Sequence, residues 1–120
     1  MKPKIDKTLF GLIVIEGQKY EYDVVIHLNG MVEKRKKKLS KLIYGTSHII
    51  SFQEAKYVYE EGAGQLVVGG GQEGMVKLSD EAAEFFKKKG CKVDISPTPQ
   101  ALEVWNKAEG KAIGLFHVTC

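Results

Sequence analysis

Two short polar segments contain the residues best suited to chemistry, and the first is Gly45-Thr46-Ser47-His48. A nucleophile and its base must reach one another, yet in an extended chain Ser47 and His48 point to opposite faces. Thr46 and His48 share a face, but no adjacent pair is usable. Two interpretations stay open: a polar turn satisfied by its own backbone, or an imidazole that acts with a partner from another loop.

The second segment is Gly69-Gly70-Gly71, which follows the apolar run Leu66–Val68. Together with Gly74 these residues satisfy the pattern G-x-G-x-x-G of dinucleotide-binding folds. In that fingerprint the helix opens within the glycines, whereas here residues 75–78 intervene before Ser79, the expected helix cap. The spacing therefore favours a loop shaped for backbone turns or for a smaller anion over a dinucleotide site.

Positive charge is concentrated between Glu33 and Lys41, where Arg35 stands among lysines. Such a run could hold nucleic acid through its phosphates, but no aromatic side chains are interleaved and the net charge is only +3. A charged strand edge or a small anion site is therefore favoured over a nucleic-acid surface. Within an anion site, Arg35 would act as a forked clamp.

Composition predicts one domain over residues 1–120, because a chain of this length can bury a single core. No apolar stretch approaches the ~20 residues that cross a bilayer, and no secretory signal is evident, so we expect a cytoplasmic protein without a membrane association. Cys91 and Cys120 lack a C-x-x-C spacing, so no metal site and no cofactor are predicted. The excess of lysine and glutamate is typical of thermophiles.

The pattern of apolar residues predicts an α/β domain. Alternation and turn residues indicate two successive N-terminal hairpins, with a type I′ turn at Asn29-Gly30, and capping residues mark three main helices. These elements imply a layered domain around a mixed sheet. The predicted strands are 9–15, 18–28, 31–37, 66–68, 91–95 and 111–120, and the helices begin after Ser51, Ser79 and Thr98, where Pro99 takes the first helical position.

Ligands of open α/β sheets collect beyond the carboxyl ends of parallel strands. That rule makes Gly69, Gly70 and Gly71 neighbours of the loop from Ser96 to Thr98. If Gly45-Thr46-Ser47-His48 folds over the same edge, its polar groups and Arg35 would complete an anion pocket. The alternative is that these loops pack on one another.

The predicted function is accordingly a soluble binding or assembly protein with a small anionic ligand or a protein partner. One alternative is a small enzyme that acts on a phosphorylated or carboxylated metabolite through Thr46, Ser47 and His48. A nucleic-acid-binding protein using residues 34–41 is the less favoured alternative. No oligomeric state is predicted.

Several segments, taken together, resemble a small family of uncharacterised α/β domains that includes the human adipogenesis-associated protein and, more distantly, mitochondrial complex I assembly factor three. They are Tyr44–His48, Val67–Gly71, Pro97–Ala101 with Asn106, and the terminal His117-Val118-Thr119-Cys120. The resemblance covers the whole chain. It implies a three-layer fold whose last strand is central and antiparallel to its neighbours, and it implies no established activity, substrate or cofactor.

Overall fold

A computed structural model describes residues 2–120. Its centre is a five-stranded mixed sheet of order β5-β4-β10-β7-β9, beside a three-stranded antiparallel sheet β1-β2-β3 and a short parallel pair β6-β8. The elements in chain order are β1 (Ile5–Leu9), β2 (Leu12–Ile15), β3 (Gln18–Tyr20), β4 (Val24–Ile26), β5 (Val32–Lys34), α1 (Lys38–Tyr44), β6 (Ile49–Ile50), α2 (Phe52–Val58), β7 (Gln65–Gly70), β8 (Lys77–Leu78), α3 (Asp80–Lys88), β9 (Lys92–Ser96), α4 (Thr98–Lys107) and β10 (Ala112–His117).

The last strand, β10, is central, as the family resemblance implies. It pairs antiparallel with β4 but parallel with β7. The expectation that it is antiparallel to both neighbours is therefore correct on one side only, because β4 belongs to a hairpin whereas β7 and β10 are joined through helices. Consequently β7, β9 and β10 end at the same edge of the sheet, where β4 begins.

The sheet separates two apolar cores, which makes the domain three-layered as predicted. Successive residues of β10 alternate between them: Leu115 faces α2 and α3, while Phe116 faces α4 and the three-stranded sheet. Val68 and Val67 of β7 alternate in the same way. This period of two fixes the register, since a slip of one residue would exchange the two faces.

The N-terminal hairpins differ in detail from the prediction. The predicted strand 9–15 is broken at Gly11, and β1 and β2 lie on either side of the turn. Positive φ at two successive residues, 50° at Glu16 and 80° at Gly17, occurs between β2 and β3. At the second turn only Gly30 has positive φ, so the type I′ turn expected at Asn29-Gly30 is wrong, and a longer loop joins β4 to β5.

The three predicted helices are present as α2, α3 and α4, and α1 is an additional short helix. It begins at Lys38, directly after the predicted strand 31–37; the observed strand β5 is shorter than that prediction and ends at Lys34, at the edge of the sheet. Helix α4 begins at Thr98 after Pro97, so the threonine is the first helical residue and not the expected cap. None of the helices described in residues 2–120 is long and apolar enough to span a membrane.

Candidate functional site

Four charged or ionisable side chains are buried together beneath the edge where β10 ends, and we call Asp23, Arg35, Glu54 and His117 the ionic cluster. The Arg35 guanidinium donates to Glu54 at 2.6 and 3.0 Å and to Asp23 Oδ2 at 3.0 Å. Asp23 Oδ2 also lies 2.6 Å from His117 Nδ1. Each of the four residues is at most 4% exposed, so their charges act through protein and not through water.

Helix α2 positions Glu54 through its own cap. Ser51 Oγ accepts from the Glu54 N–H at 3.1 Å, as the predicted capping box requires. The reciprocal half is absent, because the Glu54 carboxylate turns to Arg35 and to the Ser40 hydroxyl, and Ser40 Oγ accepts from the Ser51 N–H at 2.9 Å in its place. Ser40 thus fastens α1 to the start of α2.

The cluster holds Asp23 as a carboxylate. Burial alone would raise the pKa of this carboxyl, but hydrogen bonds from His117 and from the Val118 N–H, with the positive charge of Arg35, outweigh burial and lower the pKa to about 2. The pKa of Arg35 is raised because Glu54 and Asp23 outweigh the effect of its own burial. Both ions are therefore charged at neutral pH.

An open cleft of about 600 Å³ lies directly above the cluster. We call it the lysine cleft, since four lysines line it together with Glu21, an apolar wall and the surface of the ionic cluster. The lining residues are Glu21, Tyr22, Asp23, Lys34, Arg35, Lys36, Lys37, Lys38, Leu39, Val118 and Thr119. Lys37 Nζ reaches to 3.7 Å from Asp23 Oδ2, so the cleft and the cluster meet at this carboxylate.

His117 connects the cluster to two further polar groups. Its Nε2 lies 3.1 Å from the Thr119 hydroxyl, and Thr119 is on the wall of the lysine cleft. The rings of His48 and His117 pack edge to face, with 5.3 Å between ring centroids. The candidate site is therefore centred on a histidine that was not selected from the sequence.

The glycine loop and Thr98 are neighbours, as expected, but they pack together without a gap. The Thr98 hydroxyl accepts from the Gly71 N–H at 2.8 Å and donates to the His117 carbonyl at 2.6 Å. A side chain at Gly69 would meet the Thr98 hydroxyl at 2.8 Å, and one at Gly71 would meet the backbone of Cys120 at 2.3 Å. These groups are satisfied by one another, and their immediate effect is to fix the end of β10.

The segment Gly45-Thr46-Ser47-His48 is a bend, not an extended strand. Thr46 Oγ1 accepts from the His48 N–H at 3.1 Å, which is the contact expected for a polar turn satisfied by its own backbone. The Ser47 carbonyl accepts from Arg35 at 2.8 Å. Thr46 and His48 therefore do not form a nucleophile and base. The segment nevertheless reaches the site, through Arg35 and through the contact between His48 and His117.

The remaining predicted residues lie at the same sheet edge. Gly70 ends β7 and is buried, and Ser96 ends β9 in register with Gly69. Arg35 lines the lysine cleft, but its guanidinium is already bound by the carboxylates of Asp23 and Glu54. It therefore clamps these two internal carboxylates and not a ligand in the cleft.

Four residues of the site were not predicted from the sequence: Asp23, Glu54, His117 and Thr119. Asp23 and Glu54 were assigned to a half-exposed strand and to a helix cap, positions where acidic residues are ordinary. The available signal was the single arginine of the chain, since a buried guanidinium needs carboxylates nearby. To use that signal one must know that Arg35 is buried, whereas the lysines beside it in the sequence indicate an exposed position.

Comparison with known proteins identifies the family. Residues 5–116 match the family described as "Protein of unknown function (DUF498/DUF598)", and the chain belongs to it. The biochemical function of this family is not established, as the resemblance implied.

Solved structures agree with this assignment. A conserved hypothetical protein from Pyrococcus horikoshii OT3 is 33% identical, with a TM-score of 0.89 over 98% of this chain and 99% of that chain. The protein MT938 is 27% identical, with a TM-score of 0.83 over 99% of this chain and 100% of that one. An Mth938-like domain from Bordetella pertussis shares the fold alone: 15% identity and a TM-score of 0.61 over 97% and 85% of the two chains.

Proposed function

We propose that this member of the family binds a small organic anion, bearing a phosphate or a carboxylate, in the lysine cleft. The observation that supports the proposal is the convergence of Lys34, Lys36, Lys37 and Lys38 on one recess. A cleft lined by one sign of charge raises the local concentration of oppositely charged ligands. Its volume of about 600 Å³ is within the usual range for sites that hold small molecules.

The charges of the cleft are offset only in part: Lys37 lies 3.7 Å from Asp23 Oδ2, and Lys36 lies 3.6 Å from Glu33. Asp23 is held by Arg35, by His117 and by the Val118 N–H, which leaves Glu21 as the one other acidic side chain of the lining. Tyr22, Leu39 and Val118 supply apolar surface for the organic part of a ligand. The cleft thus offers cations for an anionic group and a nonpolar wall beside them.

Nucleic acid fits this surface less well than a small anion does. Single strands need exposed ring faces on which bases can stack. The tyrosine rings near the basic run already have ammonium groups over them: Lys34 lies 5.3 Å from the centroid of Tyr22, and Lys36 lies 5.3 Å from that of Tyr57. The lysines also converge on a recess and do not extend as a stripe along one face.

The residues predicted from sequence take supporting roles in this proposal. Arg35 holds the floor of the cleft, and Gly69, Gly70, Gly71, Ser96 and Thr98 fix the strand ends beside it. His48 packs against His117, and the Thr46 hydroxyl holds the His48 N–H. Gly45 caps the end of α1, and the Ser47 carbonyl accepts from Arg35. The ligand itself would contact the lysines and Thr119.

We also propose a cytoplasmic binding or assembly role and a protein partner. The absence of a disulfide supports this placement, because Cys91 and Cys120 are both free thiols.

Kinship with the human adipogenesis-associated protein and with complex I assembly factor three is part of the same proposal. It is supported by the Gly45–His48 and His117–Cys120 segments.

Calorimetric titration with inorganic phosphate, phosphorylated sugars and dicarboxylates tests the binding proposal. Replacing Lys34, Lys37 and Lys38 with Gln should weaken the tightest anion at least about tenfold, since each exposed charge contact contributes about 0.5–1 kcal/mol. The matched control replaces Lys87, Lys88 and Lys89, at the C-terminal end of α3, with Gln, which removes the same charge from another surface. Equal losses in both variants, or no anion bound by the wild type, would overturn the proposal.

A further inference from the structure

Three side chains at the base of the lysine cleft form a hydrogen-bonded series. The Thr119 hydroxyl lies 3.1 Å from His117 Nε2, and His117 Nδ1 lies 2.6 Å from Asp23 Oδ2. Hydroxyl, imidazole and carboxylate in this order are the parts of a nucleophile, a base and the group that orients the base. The series joins residues 94 positions apart in sequence, so it is a product of the fold and not of a local turn.

The tautomer of a neutral imidazole at this position follows from its partners. Asp23 is ionised and can only accept, so His117 Nδ1 must carry the proton that is donated to it. In the neutral imidazole Nε2 is then the unprotonated nitrogen, and it can accept from the Thr119 hydroxyl. This is the tautomer in which a histidine can remove a hydroxyl proton.

The carboxylate that fixes the tautomer is itself fixed. The Val118 N–H donates to Asp23 Oδ1 at 3.0 Å, and Arg35 donates to Oδ2 at 3.0 Å. His48 packs against the His117 ring and limits its rotation. Two contacts therefore fix the carboxylate, and a third restricts the ring of the base that it orients.

Access distinguishes Thr119 from the rest of the series. His117 and Asp23 are each 1% exposed, whereas Thr119 is half-buried and lines the cleft with Lys37. Thr119 is therefore the point where the series meets the cleft, and the Nε2 edge of the imidazole lies 3.1 Å behind its hydroxyl. Lys37 lines the same cleft, with its ammonium 3.7 Å from Asp23 Oδ2, and is a cation available to negative charge that develops there.

We propose that Thr119 is the nucleophile, and His117 the general base, of an acyl-transfer reaction on a small ester that bears a carboxylate or a phosphate. This inference rests on the proposed function for its choice of an anionic substrate. Asp23 is a positioning residue, since it acts through His117.

The Thr119 oxygen attacks the ester carbonyl carbon and forms the new C–O bond while its proton moves to His117 Nε2. The tetrahedral intermediate then breaks its bond to the leaving oxygen, which takes that proton and departs as an alcohol. Water attacks the resulting threonyl ester, again giving a proton to His117, which returns it to the Thr119 oxygen as the carboxylic acid is released. No oxidant or further reactant is needed.

Mass spectrometry of the intact protein after exposure to a fluorophosphonate and to p-nitrophenyl succinate tests the assignment. We expect a single adduct that peptide mapping places on Thr119, lost in Thr119→Val and retained in Thr119→Ser. The matched control is Thr8→Val, which removes another half-buried threonine hydroxyl outside the site and should keep the adduct. His117→Gln should slow acylation at least about a hundredfold. Adduct formation that persists in Thr119→Val, or no adduct on Thr119 in the wild type, would overturn the inference.

A comparison of charged and neutral esters separates this inference from the binding proposal. If anions bind calorimetrically but Thr119 is never acylated, the catalytic inference fails and the binding proposal stands. If p-nitrophenyl acetate acylates Thr119 as fast as the succinate ester does, the catalytic inference stands and the preference for anions fails. For Asp23→Asn, we expect a lower acylation rate at saturating ester with unchanged half-saturation, which a merely structural role would not produce.

Discussion

The ionic cluster and the lysine cleft are both strongly charged and share one carboxylate, yet they differ in almost every physical respect. In the cluster, Arg35 and its partners are shielded from water, and each formal charge has an opposite charge within 3.0 Å. In the cleft, Lys34, Lys36 and Lys38 are exposed, and cations outnumber acids.

The difference indicates which charges have structural roles and which are available to a ligand. A buried ion that loses its partner is costly, so the cluster cannot exchange its internal contacts for those of a ligand. Exposed lysines do not depend on a protein partner in the same way, because water solvates their charges. The comparison therefore predicts large stability effects in the cluster, and small stability effects with large binding effects in the cleft.

Arg35→Met should be the most damaging single change. It leaves Asp23 and Glu54 as buried carboxylates without their cation, so the free energy of unfolding should fall by about 3–5 kcal/mol. Lys34→Met is the matched control, since it removes the same charge one residue away from an exposed position, and it should change stability by less than about 1 kcal/mol. Urea denaturation of both variants checks this difference.

A double variant sharpens the same test. If the loss in Arg35→Met comes from the orphaned carboxylates, adding Glu54→Gln should restore part of it, with a coupling energy of about 1–3 kcal/mol. Additive losses would mean that Arg35 stabilises the domain by packing alone and that the cluster is not one electrostatic unit.

The pH dependence of stability should identify Asp23 next. Its pKa of about 2 in the folded protein is below the ordinary value of 3.8, so its contribution is fully present above pH 3.8 and is lost as pH falls toward 2. The whole contribution is about 2 kcal/mol, of which about 1 kcal/mol should disappear between pH 6 and pH 3.

The measurement is the difference in unfolding free energy between the wild type and Asp23→Asn at those two pH values. That difference should shrink by about 1 kcal/mol on acidification. The corresponding difference for Glu109→Gln, at an exposed carboxylate, should change by less than about 0.5 kcal/mol. If the difference in unfolding free energy between the wild type and Asp23→Asn is the same at both pH values, Asp23 does not contribute to stability through its charge.

Much of the fold could be predicted from the sequence because its signals are local. Ser51 and Ser79 cap helices where expected, and the alternation in β7 and β10 divides their residues between two cores. The break at Gly11 was missed because an apolar run through 9–15 is equally compatible with one strand or with a tight hairpin. The orientation of β10 is a property of long-range pairing, which local patterns do not encode.

The site was predictable in location but not in composition. The rule for strand ends correctly brought Gly71 and Thr98 together, because it depends only on topology. Which groups remain open to a ligand depends on the packing of His117 and Cys120 against Gly71, where a side chain would not fit. Asp23 could not be selected because its partners Arg35 and His117 are distant in sequence, and pairing decides whether a carboxylate can be buried.

Lys37 gives the finest test of the comparison, because it contacts the same Asp23 oxygen as Arg35 does. Its ammonium is 3.7 Å from Oδ2 with its side chain 38% exposed, whereas the Arg35 guanidinium is 3.0 Å away and fully buried. Water screens the longer contact, so Lys37→Gln should lower the free energy of unfolding by less than about 1 kcal/mol, and about 1 M salt should remove most of that loss.

Lys41→Gln, in the same basic run but outside the cleft lining, serves as the control and should have a smaller effect. Urea denaturation at low and high salt distinguishes the outcomes: a salt-independent loss in Lys37→Gln comparable to that in Arg35→Met would show that the cluster extends through Lys37, and the lysine cleft would then have one fewer charge to offer a ligand.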